Sequence, residues 1–221
     1  MDDLIQNILI CGIGGQGVVL AGKIISLAAF ESGKDIKTSE VHGMSQRGGS
    51  VSTHIRYGKK IFSPLIPGNE ATAILSFDIY ETARYIRSFA NEKTIIISSN
   101  HGKIPQWTPK NKNDKIGNGA ETVNENGSGA IDEDGVAGLL RANFKSLHLI
   151  DDKRIAADLG NIKVSNIILI GILSGFSDIK KEIWLKAIEK NIPRKTTDLN
   201  INAFLTGRNY YENQNHENKI F

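Results

Sequence analysis

The chain has 221 residues, 40% of them hydrophobic, with 27 basic and 24 acidic side chains and a formal net charge of +3. That length and composition suit one domain with a sizeable core. So mild a surplus, with no dense basic run interleaved with aromatics, argues against a nucleic-acid partner. A single cysteine, Cys11, rules out a disulfide within the chain and a cluster held by this chain's cysteines alone, and it fits a reducing cytoplasm. The start, MDDLIQN, lacks the basic region of a signal peptide.

Ile8–Cys11 is an apolar run that predicts a buried strand, and Gly12–Gly17 predicts a tight turn. From Gln16 to about Ser32 the apolar residues Val18, Val19, Ile24, Ile25, Leu27 and Ala28 recur at helical spacing, and Gly33 stops the helix. Asp35–Val41 is a second predicted strand, so the chain opens like an open α/β sheet with a right-handed crossover. Ser50–Tyr57 and Lys60–Ile66 flank Gly58-Lys59, the pattern of a hairpin. A hairpin in such a chain predicts a mixed, mainly parallel sheet in a three-layer α/β/α domain. Ala73–Phe77, Thr94–Ser98 and Leu147–Asp151 are further predicted strands. Helices are expected at Ile79–Ala90, Arg154–Leu159, Val164–Gly175 and Ile179–Asn191. The apolar stretch Val164–Phe176 is too short to span a bilayer and carries Ser165, Asn166 and Ser174, so it predicts a buried helix and no membrane partner. Residues 100–131, rich in Asn, Gly, Lys and Pro, are expected to form a mobile insertion within a single domain of residues 1–209. The polar tail 210–221 is expected to fray.

Two stretches carry candidate chemistry. CGIGGQG places Gly12, Gly14 and Gly17 in G-x-G-x-x-G spacing between a strand and a helix. Such a turn presents free N–H groups to a phosphate or carboxylate, or it is a tight turn with no ligand. Glu40, near the end of the second strand, raises the alternative of an NAD(P)- or FAD-binding Rossmann oxidoreductase. Against that stand Gln16, a large polar group inside the turn, and the dense polar stretch after Glu40. In that stretch lie His42, Met44, Gln46, Arg47, Gly48 and Gly49. Arg47 beside two glycines suits bidentate recognition of an anion, or it pairs with Glu40. His42 has no second ligand at metal-binding spacing.

GIGGQGVVLAGKII resembles the opening of the gamma domain of the 2-oxoacid:ferredoxin oxidoreductases. EVHGMSQRGGSVSTHIRYG, SPLI, DLGN (Asp158–Asn161), KVSNIILIGILSG (Lys163–Gly175) and NINAFLTG (Asn200–Gly207) resemble its indolepyruvate branch. The resemblance covers nearly the whole chain except residues 100–142. It implies a cytoplasmic subunit of an enzyme that oxidatively decarboxylates a 2-oxoacid with coenzyme A and reduces ferredoxin. Such chemistry needs thiamine diphosphate, magnesium and iron–sulfur clusters. The chain has no GDG motif and no CxxCxxC run, so the resemblance puts these cofactors on a large partner subunit, through which ferredoxin is also reached. The candidate surface for coenzyme A, another anion or the partner is then the turn of Gly12, Gly14, Gly15, Gln16 and Gly17 together with the Glu40–Gly49 stretch. A third reading is a non-enzymatic nucleotide-binding assembly module.

Overall fold

The computed structural model describes residues 5–43, 48–103 and 132–217. Its strands are β1 (Gln6–Ile13), β2 (Asp35–His42), β3 (Ser50–Gly58), β4 (Ala73–Ser76), β5 (Ile95–Ser99) and β6 (Leu147–Ile150). They form one sheet in the order β2-β3-β1-β4-β5-β6. β1, β4, β5 and β6 run parallel, while β3 is antiparallel to both β1 and β2. β1 is central because nearly every residue in it is buried, as a strand covered on both faces requires.

Seven α-helices are described: α1 (Val18–Glu31), α2 (Ile79–Phe89), α3 (Glu133–Asn143), α4 (Asp152–Asp158), α5 (Ser165–Gly175), α6 (Lys181–Asn191) and α7 (Thr197–Glu217). Strand side chains alternate between two cores. Ile8, Ile10, Ile55, Leu75 and Ile97 face α1, α5, α6 and α7. Leu9, Cys11, Ile74 and Ile96 face α2 and α3. The result is the expected three-layer α/β/α architecture. Among the described residues no helix is long and apolar enough to cross a membrane.

The hairpin is not where the sequence pattern puts it. It joins β2 to β3, and residues 60–66 form no strand. Both edges of β3 are already taken, by β1 and β2, so a strand after Gly58 has nothing to pair with. The segment carries Pro64 and Pro67 and bends back instead. Arg56 Nη1 donates to the Ser63 and Leu65 carbonyls at 3.1 and 3.2 Å, and Ile61 N donates to Asp35 Oδ2 at 2.7 Å.

Two helices have no counterpart in the sequence reading. α3 is polar and interrupted by Gly135 and Gly138, and its buried side is only Val136, Ala137 and Leu140. Asp132 caps it by accepting from Gly135 N at 2.8 Å. α7 runs without a break across Tyr210 to Glu217, so the residues expected to fray begin inside a helix. Tyr211 packs on Phe176 with ring centroids 4.4 Å apart. The insertion expected at 100–131 lies outside the described residues from 104 onward.

α5 is buried from Asn166 to Ser174, between the sheet and α7. The two helices touch backbone to backbone. A Cβ on Gly207 would overlap the Ile168 carbonyl oxygen, and one on Gly171 would overlap that of Phe204. Gly207→Ala should therefore lower the unfolding free energy by about 1–3 kcal/mol, as overpacking does. Gly138 on α3 is exposed and has open space around it. Gly138→Ala should raise stability by about 0.5–1 kcal/mol. Urea unfolding of both variants checks this; equal effects would mean that the α5–α7 contact is loose.

Candidate functional site

β1, β2, β4, β5 and β6 all end at one edge of the sheet, and β3 begins there. In open α/β sheets this is the edge where ligands bind. The two motifs meet on it. Gly14 N donates to the Gly49 carbonyl at 2.9 Å, and Gly43 N donates to that of Ser50 at 2.8 Å. The first bond stitches the glycine turn to the Gly49 end of the β2–β3 connection, and the second closes the connection on itself. Gln46 and Arg47, with Met44, lie outside the described residues.

Within the turn, Gln16 faces inward. Its Oε1 accepts from Ile13 N at 2.6 Å, and its Nε2 donates to Asp78 Oδ2 at 3.5 Å. A Cβ on Gly12 would stand 2.7 Å from Gln16 Oε1, so the first glycine of the motif makes room for the glutamine. Gly15 and Gly17 take φ of +98° and +90°, where a side chain would be strained. Gly14 and Gly15 are exposed. α1 then starts at Gly17 with no side-chain cap and no acidic residue in its first turn. Its first N–H groups and its partial positive charge face the edge.

Glu40 and His42 are exposed on β2, with His42 Nε2 3.5 Å from Glu40 Oε2. Glu40 is in register with Thr53 of β3, and β3 separates it from β1. A dinucleotide fold needs that acid at the end of the strand beside β1. Here it stands two strand spacings away, about 10 Å. The ribose contact that Glu40 suggested is lost.

A buried carboxylate pair beneath the turn went unnoticed in the sequence. Asp78 Oδ1 accepts from Tyr80 N and Glu81 N at 3.0 and 3.3 Å, capping α2, and its Oδ2 accepts from Lys103 N at 2.8 Å. Glu81 accepts from the Ser50 hydroxyl, which lies 3.2 Å from Tyr85 OH. Burial pushes the Glu81 carboxyl above its ordinary range, against the opposing pull of Ser50 and Arg84. Asp-x-x-Glu before an apolar run is a helix-start signature, and that signal could have located the pair. Burial also pushes the Cys11 thiol up to about 12, which makes it an inert core group. Among the described residues no group of three or more His, Cys, Asp or Glu side chains could hold a metal ion.

The profile of the pyruvate ferredoxin/flavodoxin oxidoreductase family matches residues 7–210. The indolepyruvate oxidoreductase subunit IorB of Thermococcus kodakarensis is 33% identical over 205 residues, which cover 91% of this chain and 93% of that protein. The subunit of the same name from Pyrococcus horikoshii is 31% identical over 205 residues, with the same coverage. Among solved structures, the keto/oxoacid ferredoxin oxidoreductase gamma subunit of Geobacter sulfurreducens shares the fold, with a TM-score of 0.64 at 21% identity over 94% of this chain and 96% of its own. The 2-oxoglutarate:ferredoxin oxidoreductase of Magnetococcus marinus, solved with 2-oxoglutarate, coenzyme A and succinyl-CoA bound, gives a TM-score of 0.68 at 14% identity. The match covers 96% of this chain and 32% of that one.

Glu81 gives a pH test of the buried pair. A carboxyl whose folded-state value is raised stabilises the fold below its ordinary value, here 4.5, and loses that contribution as pH rises through the raised value. The stability of the wild type relative to Glu81→Gln should therefore fall as pH rises from 4 toward 7. Urea unfolding across that range reads the difference; a flat or rising difference would mean that Glu81 is well solvated.

Proposed function

This chain belongs to the pyruvate ferredoxin/flavodoxin oxidoreductase family as a subunit of a 2-oxoacid oxidoreductase, and we propose that it is the small subunit of an indolepyruvate or arylpyruvate enzyme. In this reading it supports the coenzyme A-dependent oxidative decarboxylation of the 2-oxoacid to an acyl-CoA, with reduction of ferredoxin. The observation that carries the site is the Gly14–Gly49 hydrogen bond, which joins the glycine turn and the RGG loop at the ligand edge of the sheet.

The residues of this chain do not fit the redox cofactors. Its one cysteine is buried and held protonated, and its sequence has no GDG or CxxCxxC motif. Thiamine diphosphate, magnesium and iron–sulfur clusters therefore belong on a large partner subunit, which also passes electrons to ferredoxin. What this chain contributes is a surface for the phosphates of coenzyme A. The uncapped start of α1 offers N–H groups, the glycines at 12, 14, 15 and 17 let a ligand approach closely, and Arg47, by its position in the RGG motif, adds a guanidinium. Gln16 supports the turn from below, and Glu40 and His42 lie on β2 beside the RGG connection.

Purified alone, the chain should not turn over indolepyruvate or phenylpyruvate with coenzyme A and an electron acceptor. Co-expressed with its partner, it should copurify with a large chain that carries thiamine and clusters, and activity should appear. In that assembly Arg47→Ala should raise the apparent KM for coenzyme A by the equivalent of about 1.5–3 kcal/mol, with little change in Tm. Turnover by the chain alone would end the subunit reading. An assembled enzyme indifferent to coenzyme A would favour a module that serves only assembly.

A further inference from the structure

The first turn of α2 holds a carboxylate that the helix itself does not use. Glu81 is only 5% exposed, and burying a carboxylate is costly unless it is paired. Asp78, three residues earlier, already caps the helix, and its like charge opposes that of Glu81. In a capping box the glutamate at this position turns back to the N–H of the capping residue. Here Asp78 N donates to Ser76 Oγ at 3.4 Å instead, and the Glu81 side chain leaves its own helix.

It crosses to Ser50, the first residue of β3. Ser50 gives its one hydroxyl proton to Glu81, so the Tyr85 hydroxyl, 3.2 Å away, donates to Ser50 Oγ. Arg84 Nη1 stands 3.6 Å from the other Glu81 oxygen. Tyr85, Ser50 and Glu81 thus form a directed chain that ends on a carboxylate and ties β3 to α2. The tie falls where the ligand edge is assembled. The Gly49 carbonyl accepts from Gly14 N, and the Ser50 carbonyl accepts from Gly43 N. These two carbonyls flank the Ser50 Cα, so holding the Ser50 side chain holds both peptide planes. The same turn of α2 reaches the glycine turn through Asp78 and Gln16.

We propose that Glu81 is a positioning residue: through Ser50 it sets the Gly48–Ser50 end of the β2–β3 connection against the glycine turn. Its role runs through Ser50 and not through contact with a ligand. For what the connection meets, the inference rests on the coenzyme A reading. Glutamine at this position keeps an oxygen for Ser50, whereas alanine leaves the Ser50 hydroxyl without its acceptor.

The test has two arms. Hydrogen exchange on the full chain follows the amides of Gly14 and Gly43, whose acceptors flank Ser50. Glu81→Ala and Ser50→Ala should each speed that exchange about fivefold, the equivalent of one hydrogen bond, and Glu81→Gln much less. The double variant should exchange no faster than the single ones, because both remove the same tie. Ser50→Ala carries the test if Glu81→Ala does not fold. Unchanged exchange in the folded variants, or effects that multiply in the double variant, would overturn the positioning role. Kinetics of the assembled enzyme are the second arm. The alanine variants should raise the apparent KM for coenzyme A about fivefold with kcat within about twofold, and Glu81→Gln should restore the wild-type value. A loss of kcat that Glu81→Gln shares would make Glu81 a general structural group and overturn the proposal. Faster exchange with an unchanged KM would leave the tie standing and take the coenzyme A reading away from this connection.

Discussion

The ligand edge of this protein depends on one arrangement of strands, β3 running antiparallel between β1 and β2. It fills the position that a dinucleotide-binding sheet gives to its second parallel strand. Because β3 must start where β1 ends, the β2–β3 connection is returned to the glycine turn, and Gly49 accepts from Gly14. The same insertion moves Glu40 outward. One topological choice thus brings two motifs together and removes the acid that a nicotinamide or flavin dinucleotide would need.

Beneath that edge the turn is held from several directions. Gln16 closes it from inside and reaches Asp78, which caps α2 and also binds Lys103 N. Glu81 takes the hydroxyl of Ser50, the first residue of β3. On the other face of the sheet, α5 carries Asn166 to Gly17, and α5 is fixed by its glycine contacts with α7. The deep core and the ligand edge are therefore mechanically connected. A change at Gly171 or Gly207 loosens the helix that presents Asn166.

What was legible in the sequence follows the range of each signal. β1, α1, β4, α2, β5, β6, α5 and α6 announce themselves through apolar runs or helical spacing, which are local. The hairpin was misplaced because Gly58-Lys59 is a good local turn, whereas the edges available to β3 depend on strands far away in the chain. α3 and α7 were hidden by glycine, asparagine and charge; tertiary packing holds them, as the fully buried Ala203 and Phe204 of α7 illustrate. Of the site, the two glycine motifs could be read directly. The inward turn of Gln16 could not, since a polar side chain in a glycine loop suggests a ligand contact until its partners are known. Asn166 could be read from sequence only as a polar residue in a buried helix, because its contact with Gly17 joins segments far apart in the chain.

The central claim is that the joined glycine turn and β2–β3 connection form the surface that meets coenzyme A. Hydrogen exchange on the assembled enzyme, with and without coenzyme A, tests it most directly. Amides at the start of α1 are fixed by no side-chain cap, so a bound phosphate should slow their exchange. The account predicts protection in Gly15–Leu20 and around Gly48–Ser50, with little change in α3 and α6. Protection elsewhere in this chain, with those segments unchanged while coenzyme A saturates the enzyme, would contradict it.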